Sequence, residues 1–423
     1  PDIPKSRVDG LEQHSSGQHP NQVELHLVHV ASSDTPEEDH MQFRTLGKTG
    51  IQTSILGYGA MRLPSLEDGT CDIEKSVPLL RRGIDLGINY IDTAYVYIKG
   101  TSEVAVGQAI KGYDRDKLYL ATKIPVDNTE TAQPDAWRVK LEESLERFDT
   151  PYIDCILFHG LRWDVFENFV SQPGMALCEA RKAQAEGLVR HICFSSHDSA
   201  ENIIKLIDTN EFESMLVQYN FLDRHNEPAI AHAAETGMGV VIMGPVAGGR
   251  LATPQGIVTD DEGVLEVKTP ELALRFVWNN PNVTVAISGM NEFSQIEENA
   301  AAAARLEKLS AQELTEVDRL VEKNERLADL YCTGCRYCMP CPNDVNIPEN
   351  FRYMNWHRVW GLEEEAKKAY ANLSADGTWT PWAGRIEGLK ADGCVQCGEC
   401  EPKCPQNIPI VKQLQEVADT LGT

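Results

Sequence analysis

Four ionisable side chains stand at the ends of three successive β-prone runs, and together they could move a proton. Asp92 follows Asn89, Tyr90 and Ile91, which read as a short buried strand after a helix ending near Gly87, and Tyr97 comes five residues later. A phenol is a weak acid, with a pKa of about 10, and donates usefully only where a neighbouring cation favours its anion. Lys123 offers that cation at the end of the run Leu118-Tyr119-Leu120-Ala121-Thr122, and His159 closes the next run, from Tyr152 to Phe158. Taken singly, each has an ordinary explanation: an aspartate after a strand caps a turn, and a strand-end histidine packs and hydrogen-bonds. As a set on strand ends, where α/β folds build their sites, they outweigh those single explanations and read as one site, with the phenol as proton donor and the lysine as its cation.

The elements that must position them repeat. Runs near 55–58, 89–91, 118–122, 153–158, 189–194, 215–218, 239–243 and 283–287 have strand character, and amphipathic stretches such as 73–86, 134–148, 175–186 and 200–208 fall between them. Strands alternating with helices predict a parallel (β/α)8 TIM barrel, since parallel crossovers need a helix and closure removes the sheet edges. Gly-x-Gly-x-x-Gly opens none of these units, which disfavours a doubly wound dinucleotide fold. The expected division is a flexible extension over 1–40, upstream of a start at Met41, a barrel over 41–308, a charged linking helix over 309–330 and a second domain over 331–423.

The residues Asp92-Thr93-Ala94 and Tyr97 match the motif Asp-Thr-Ala-x-x-Tyr of the aldo/keto reductases, and residues 41–304 resemble that family. The resemblance implies an Asp92/Tyr97/Lys123/His159 tetrad and reduction of a carbonyl, or the reverse reaction on an alcohol. It also implies a nicotinamide lying across the strand ends. Ser195 and Gln218 match the family's carboxamide contacts, Ser196 replaces an asparagine, and Met243 replaces the usual stacking aromatic. Residues 244–251, with Gly244, Gly248, Gly249 and Arg250, resemble the pyrophosphate loop, and Asn299 falls where the family holds adenine. The family reads the 2′-phosphate with basic residues just before that asparagine. Here residues 288–295 contain no Lys or Arg and do contain Glu292, which points to NADH over NADPH.

The second domain carries Cys332-x2-Cys335-x2-Cys338-x2-Cys341-Pro and Cys394-x2-Cys397-x2-Cys400-x3-Cys404-Pro. Three thiolates spaced two apart wrap one face of a cubane and a fourth completes a set, whereas one zinc ion needs only two Cys-x2-Cys pairs. Two [4Fe–4S] clusters are therefore expected. In the bacterial two-cluster pattern the fourth cysteine of each run serves the other cluster. That assigns Cys332, Cys335, Cys338 and Cys404 to one cluster, and Cys394, Cys397, Cys400 and Cys341 to the other. The short spacing before Cys341 and the long, aromatic, partly helical segment between the runs depart from a compact ferredoxin. They resemble the helical ferredoxin-type domains appended to some oxidoreductases.

A formal charge of −25 over 423 residues argues against nucleic acid or an anionic membrane as partner. No apolar run approaches the roughly 18 residues of a membrane span, and the early apolar patch lacks the basic flank of a signal peptide. Eight of the 12 cysteines form the two runs, while Cys71, Cys155, Cys178 and Cys193 read as inert thiols, so the expected compartment is a reducing cytoplasm. Three functions compete. One is a nicotinamide-dependent oxidoreductase acting on a small carbonyl or alcohol, its clusters exchanging electrons with a partner protein. Another is an electron-transfer protein, or a reductase fed by a ferredoxin-like partner without nicotinamide. The third is a reductase whose clusters are structural. A nicotinamide passes two electrons as hydride and a cubane passes one, a gap usually bridged by flavin, for which the chain has no clear motif.

Overall fold

The computed structural model describes residues 40–423 except 67, 250, 252–256, 260–265, 306, 325–331, 333, 335, 361, 381–383 and 423. Among them, eight parallel strands close into a barrel: β1 (Leu56–Gly59), β2 (Tyr90–Asp92), β3 (Tyr119–Pro125), β4 (Ile153–His159), β5 (Val189–Ser196), β6 (Ser214–Gln218), β7 (Gly239–Met243) and β8 (Val285–Ser288), with β8 pairing back to β1. The helices that cross between them are α1 (Ile73–Asp85), α2 (Thr101–Ala109), α3 (Pro134–Phe148), α4 (Ala176–Ala185), α5 (Ala200–Asp208), α6 (Glu227–Glu235) and α7 (Thr269–Asn279), and α8 (Phe293–Arg305) follows β8. Their starts carry the expected signals. Asp72 accepts from the Lys75 amide ahead of α1, Ser199 from the Asn202 amide ahead of α5, and Pro134 opens α3, where its missing N–H costs nothing.

Inside the barrel Tyr90, Ala121, Cys155, Leu157, Cys193, Leu216, Val241, Val285 and Ile287 form one buried cluster. Gly57 is required there: a Cβ would lie 2.8 Å from both Ile287 and Val285. The antiparallel pair Phe43–Thr45 and Gln52–Ser54 lies before β1, and the buried Leu46 between its strands presses onto Gly239, at the start of β7. With the N-terminal end of the barrel packed in this way, the C-terminal strand ends carry the polar groups.

Two strands run further than their composition indicated. β3 continues past Thr122 to Pro125, taking in Lys123, and β5 continues past Phe194 to Ser196. Both extensions are held by ladder pairing, Lys123 opposite Leu157 and Ser196 opposite Val217, a tertiary effect that local propensity does not carry. The expected linking helix is present as α9 (Ala311–Asn324); its last residues and the extension over 1–39 lie outside the described residues.

Beyond α9, a second core forms around α10 (Ile347–Trp360), α11 (Glu363–Asn372) and α12 (Ile410–Leu421). Phe351, Tyr353, Trp356, Tyr370, Ile410, Leu414 and Val417 are buried in it, and Cys332, Cys338, Cys341, Cys394, Cys400 and Cys404 line its margin. No helix among the described residues is long and apolar enough to cross a membrane.

Candidate active site

β2 ends on Asp92, β4 ends on His159, and β3 carries Lys123 close to its end, so parallel pairing brings all three to one mouth of the barrel. The Lys123 ammonium donates to Asp92 Oδ1 and to the Thr93 carbonyl, both at 2.6 Å, with both side chains almost fully buried. Burial pushes the Asp92 carboxyl up, against the pull of Lys123. Its other oxygen, Oδ2, is buried without a hydrogen-bond partner among the described residues.

Tyr97 arrives from the loop after β2. Lys123 Nζ lies 4.8 Å from the centre of its ring, and the His159 ring stands edge-on to it, 5.7 Å between centroids at 82°. The backbone is strained immediately afterwards: Ile98 and Lys99 have φ of 50° and 55°, which a β-branched residue adopts only at a cost of roughly 1–3 kcal/mol. Neighbours impose the turn. Arg147 donates to the Tyr95 carbonyl and to the buried Glu103, each at 3.0 Å, and stacks over the Tyr95 ring. Ser102 shares a 2.8 Å hydrogen bond with Thr93 and donates to the Ala60 carbonyl. These contacts fix the loop on both sides of Tyr97, and the strain places the phenol beside its cation.

His159 is packed tightly enough that burial, then Lys123 and His197, hold its imidazole well below the ordinary histidine range. It is therefore neutral at physiological pH and can donate one hydrogen bond to an oxygen without carrying charge. His197, just past β5, is pushed down to about 4, first by burial and then by His225, against the opposing pull of Asp223. Between pH 6.5 and about 4 the unfolded chain takes up a proton at this position that the folded chain refuses. Stability must then fall as pH falls, by at most about 1.4 kcal/mol per pH unit. The thermal midpoint of the parent should drop more steeply from pH 6.5 to 5 than that of His197→Asn; parallel curves would show that His197 does not contribute.

The residues matched to nicotinamide contacts come to the same mouth. Gln218 ends β6 and is buried beside Gly244, where a Cβ would approach to 2.4 Å of the Gln218 amide nitrogen. Asn220 donates to the Gly244 carbonyl at 2.9 Å, and Met243, half-buried, ends β7. Ser195 and Ser196 have partners within the protein: Ser195 accepts from the Gly160 amide at 2.9 Å, while Ser196 donates to the Leu161 carbonyl at 2.7 Å and accepts from the Asp198 amide at 3.1 Å. Ala247 and Gly248 have positive φ in the turn that ends at Gly249, and Arg250 lies outside the described residues. Asn299, on α8, is buried and donates to Ser288 at 3.3 Å. A glycine cradle beside a buried amide, at the mouth that holds the tetrad, fits the carboxamide end of a nicotinamide.

The cysteines surround two recesses. One is lined by Cys341, Cys394, Cys397 and Cys400, with Cys338 on its wall, and the other by Cys332, Cys338 and Cys404. The fourth cysteine of each run thus lies with the other run; Cys335 lies outside the described residues. Among the described residues no three metal-ligating side chains converge on a single-ion position. Gly334, Arg336, Gln396 and Gly398, the spacers between cysteines, all have positive φ. That conformation brings the Gly334 and Gln396 amides to 3.4 Å from the Cys332 and Cys394 sulfurs. Thiolates around a shared recess, with amides donating to sulfur, fit an iron–sulfur cluster. Of the other cysteines, Cys71, Cys155 and Cys193 are buried, and Cys155 is pushed well above the ordinary thiol range by Cys193 and by burial.

Two contacts at the mouth come from the cysteine runs themselves. The Tyr337 hydroxyl lies 3.0 Å from His159 Nε2, and Gln406 Nε2 lies 3.4 Å from His197 Nδ1. Neither residue type nor spacing singled these two out, because Tyr337 is an unremarkable spacer in the first cysteine motif and Gln406 lies two residues beyond the last cysteine of the second.

Comparison with known proteins agrees with this geometry. Residues 55–264 match the aldo/keto reductase family and residues 331–409 match the 4Fe-4S dicluster domain. The chain is 29% identical over 322 residues to an uncharacterized oxidoreductase, YqkF, of Bacillus subtilis, spanning 69% of this chain and 98% of that one. It is 27% identical over 312 residues to the L-galactose dehydrogenase of Arabidopsis thaliana, spanning 68% and 96%. Among solved structures, a Bacillus halodurans aldo-keto reductase in its holo form superposes with a TM-score of 0.55 at 26% identity, covering 66% of this chain and 96% of that one. A Klebsiella pneumoniae aldo/keto reductase in complex with NADP and acetate gives 0.54 at 25% identity, covering 66% and 95%. The chain is an oxidoreductase that carries an aldo/keto reductase family domain and, after its barrel, a 4Fe-4S dicluster domain.

Proposed function

We propose that the chain interconverts a small carbonyl compound and its alcohol with a nicotinamide, and that two [4Fe–4S] clusters exchange electrons with a partner protein. The domains are then a barrel over 41–308, a linking helix over 309–330 and a cluster domain over 331–423. The observation that carries the reading is the Lys123 ammonium held between Asp92, at 2.6 Å, and the ring of Tyr97. A nicotinamide, when bound, would supply or accept hydride. Tyr97 delivers a proton to the developing alkoxide, and Lys123 stabilises the phenolate that remains. Asp92 holds Lys123 in place, and neutral His159 donates to the carbonyl oxygen and orients it. Gln218 and Gly244 would hold the carboxamide, with Ser195 and Ser196 fixing the strand ends beside it. Gly248, Gly249 and Arg250 would face the pyrophosphate, and Asn299 the adenine.

Cys332, Cys335, Cys338 and Cys404 would hold one cluster, and Cys341, Cys394, Cys397 and Cys400 the other. Reduced thiols of this kind belong in a reducing compartment such as the cytoplasm. The contact between Tyr337 and His159 supports a role for the cluster domain in the barrel's chemistry and not in stability alone. An absorption spectrum with cofactor extraction on anaerobically purified protein, followed by aldehyde-dependent oxidation of NADH, tests the proposal; a spectrum without clusters, or no turnover with any aldehyde, counts against it.

NADH is expected to bind more tightly than NADPH. Residues 288–295 contain no cation, Glu292 is exposed there, and the nearby Arg82 and Lys268 are already paired with Glu297 and Glu298. A 2′-phosphate would have to compete for those cations, whereas a ribose hydroxyl suits a carboxylate. Fluorescence titration with both nucleotides decides the matter, and tighter NADPH binding would overturn it.

A further inference from the structure

The imidazole of His159 meets two phenols edge-on. Tyr97 lies at 5.7 Å between centroids and 82° between planes, and Tyr337 at 6.4 Å and 70°. The two come from opposite ends of the chain. Tyr97 belongs to the barrel, while Tyr337 is the residue before Cys338 in the first cysteine run. Its hydroxyl lies 3.0 Å from Nε2 of His159, a neutral ring whose single N–H can serve one oxygen at a time. The other anchor repeats the arrangement: Gln406, two residues after Cys404, reaches His197. Both anchors adjoin a single recess, lined by Cys332, Arg336, Cys338, Cys404 and Gln406 among others.

We propose that Tyr337 gates the active site: its hydroxyl holds the place on His159 that a substrate oxygen takes, so ligand binding in the barrel and the seating of the cysteine loop are coupled. The inference rests on the carbonyl reading of this site and adds to it the residue with which substrate competes. The geometry allows the exchange. Tyr337 is 37% exposed at the rim, so its ring swings outward without opening a core. Gly334 and Arg336, just before it, have φ of 65° and 66°, a tight turn in which small backbone rotations move the side chain far. Gly334 also packs on Arg62 of the barrel, where a Cβ would lie 3.1 Å from the guanidinium, so the loop rests on the barrel while Tyr337 projects beyond it. Linkage makes the coupling reciprocal: an oxygen that displaces Tyr337 from His159 alters the loop around the recess, and the state of the loop alters affinity for that oxygen.

Acetate is a suitable probe, because a carboxylate oxygen can take the His159 position without turnover. Anaerobically purified holoprotein and Tyr337→Phe are titrated with acetate by calorimetry, with and without NADH, and the electron paramagnetic resonance of their dithionite-reduced clusters is recorded at each stage. Losing one competing hydrogen bond should tighten acetate binding about two- to tenfold. In the parent, acetate should shift the cluster signal; in Tyr337→Phe the signal without acetate should already match the shifted one. Equal or weaker acetate binding by the variant, no acetate binding by the variant at all, or a parent signal indifferent to bound acetate would each overturn the gate. Gln406→Leu, which leaves the phenol in place, should keep the parent's affinity for acetate. A change as large as that of Tyr337→Phe would refute the assignment to the hydroxyl. Failure of NADH to bind either protein would count against the proposed nicotinamide chemistry, while the titration without NADH still decides the gate.

Discussion

Tyr97→Phe is expected to reduce carbonyl turnover by about 10²–10⁴-fold, the usual cost of losing a general acid, equivalent to about 3–5 kcal/mol of transition-state stabilisation. Nucleotide affinity should be almost unchanged. The substitution removes one oxygen from a half-buried ring that Lys123 and His159 contact through its face and edge. The Lys123–Asp92 pair and the Lys123–Thr93 hydrogen bond do not involve that oxygen, so the site keeps its shape. Loss of kcat with an unchanged nucleotide dissociation constant is the signature of an interaction made chiefly in the transition state. Retention of the parent rate with a productive aldehyde would remove Tyr97 from the mechanism and leave the tetrad as architecture.

The gathering of Asp92, Lys123 and His159 at one mouth was legible because barrel geometry converts strand ends into a common surface. Once Asp92, Lys123 and His159 are assigned to consecutive parallel strands, register alone brings them together, and the phenol needs only a short loop. What holds that loop was not legible. Arg147 reaches back from the end of α3 to Tyr95 and Glu103, a contact spanning more than forty residues that no local pattern encodes. The left-handed Ile98 is likewise hidden, since a β-branched residue gives no local signal for a conformation that its own side chain disfavours. Ser196 illustrates a different limit. Its position invites a cofactor role by resemblance, yet its hydroxyl is occupied by its near neighbour Asp198 and by Leu161, which only the loop after β4 brings within reach.

The dicluster domain was legible as a ligand set and not as a neighbour. Cysteine spacing speaks to what the thiolates hold. It is silent on where the loops between them go, and so Tyr337 and Gln406, which meet the barrel's two mouth histidines, carry no mark in the sequence. Contacts of this kind depend on how two separately built cores pack, the least local property of a fold.

Cys397→Ala is expected to abolish electron transfer to a one-electron acceptor while the barrel stays folded. Cys397 is the exposed cysteine of its run, with Val395 and Gln396 exposed beside it, so the recess it lines opens at the protein surface. The other recess, lined by Cys332, Cys338 and Cys404, adjoins the loop that meets His159. Cys338 lines both recesses, so one reaches the surface at Cys397 and its neighbour reaches Tyr337 and His159, which suits electrons entering or leaving one at a time. A cluster that served only to hold the fold would need no exposed edge and no loop in contact with the His159 imidazole. Because Cys397 is exposed, its loss leaves the second core, built on Phe351, Tyr353 and Leu414, with its packing intact. The measurement is anaerobic reduction of a dye acceptor by NADH in the presence of parent or variant, with iron content and the far-ultraviolet spectrum recorded on the same samples. Full activity in a variant that has lost a cluster would assign the clusters to stability alone. Loss of dye reduction with the spectrum preserved, and with aldehyde turnover by NADH still present, would place the clusters on a path of electrons that joins the barrel to a partner protein.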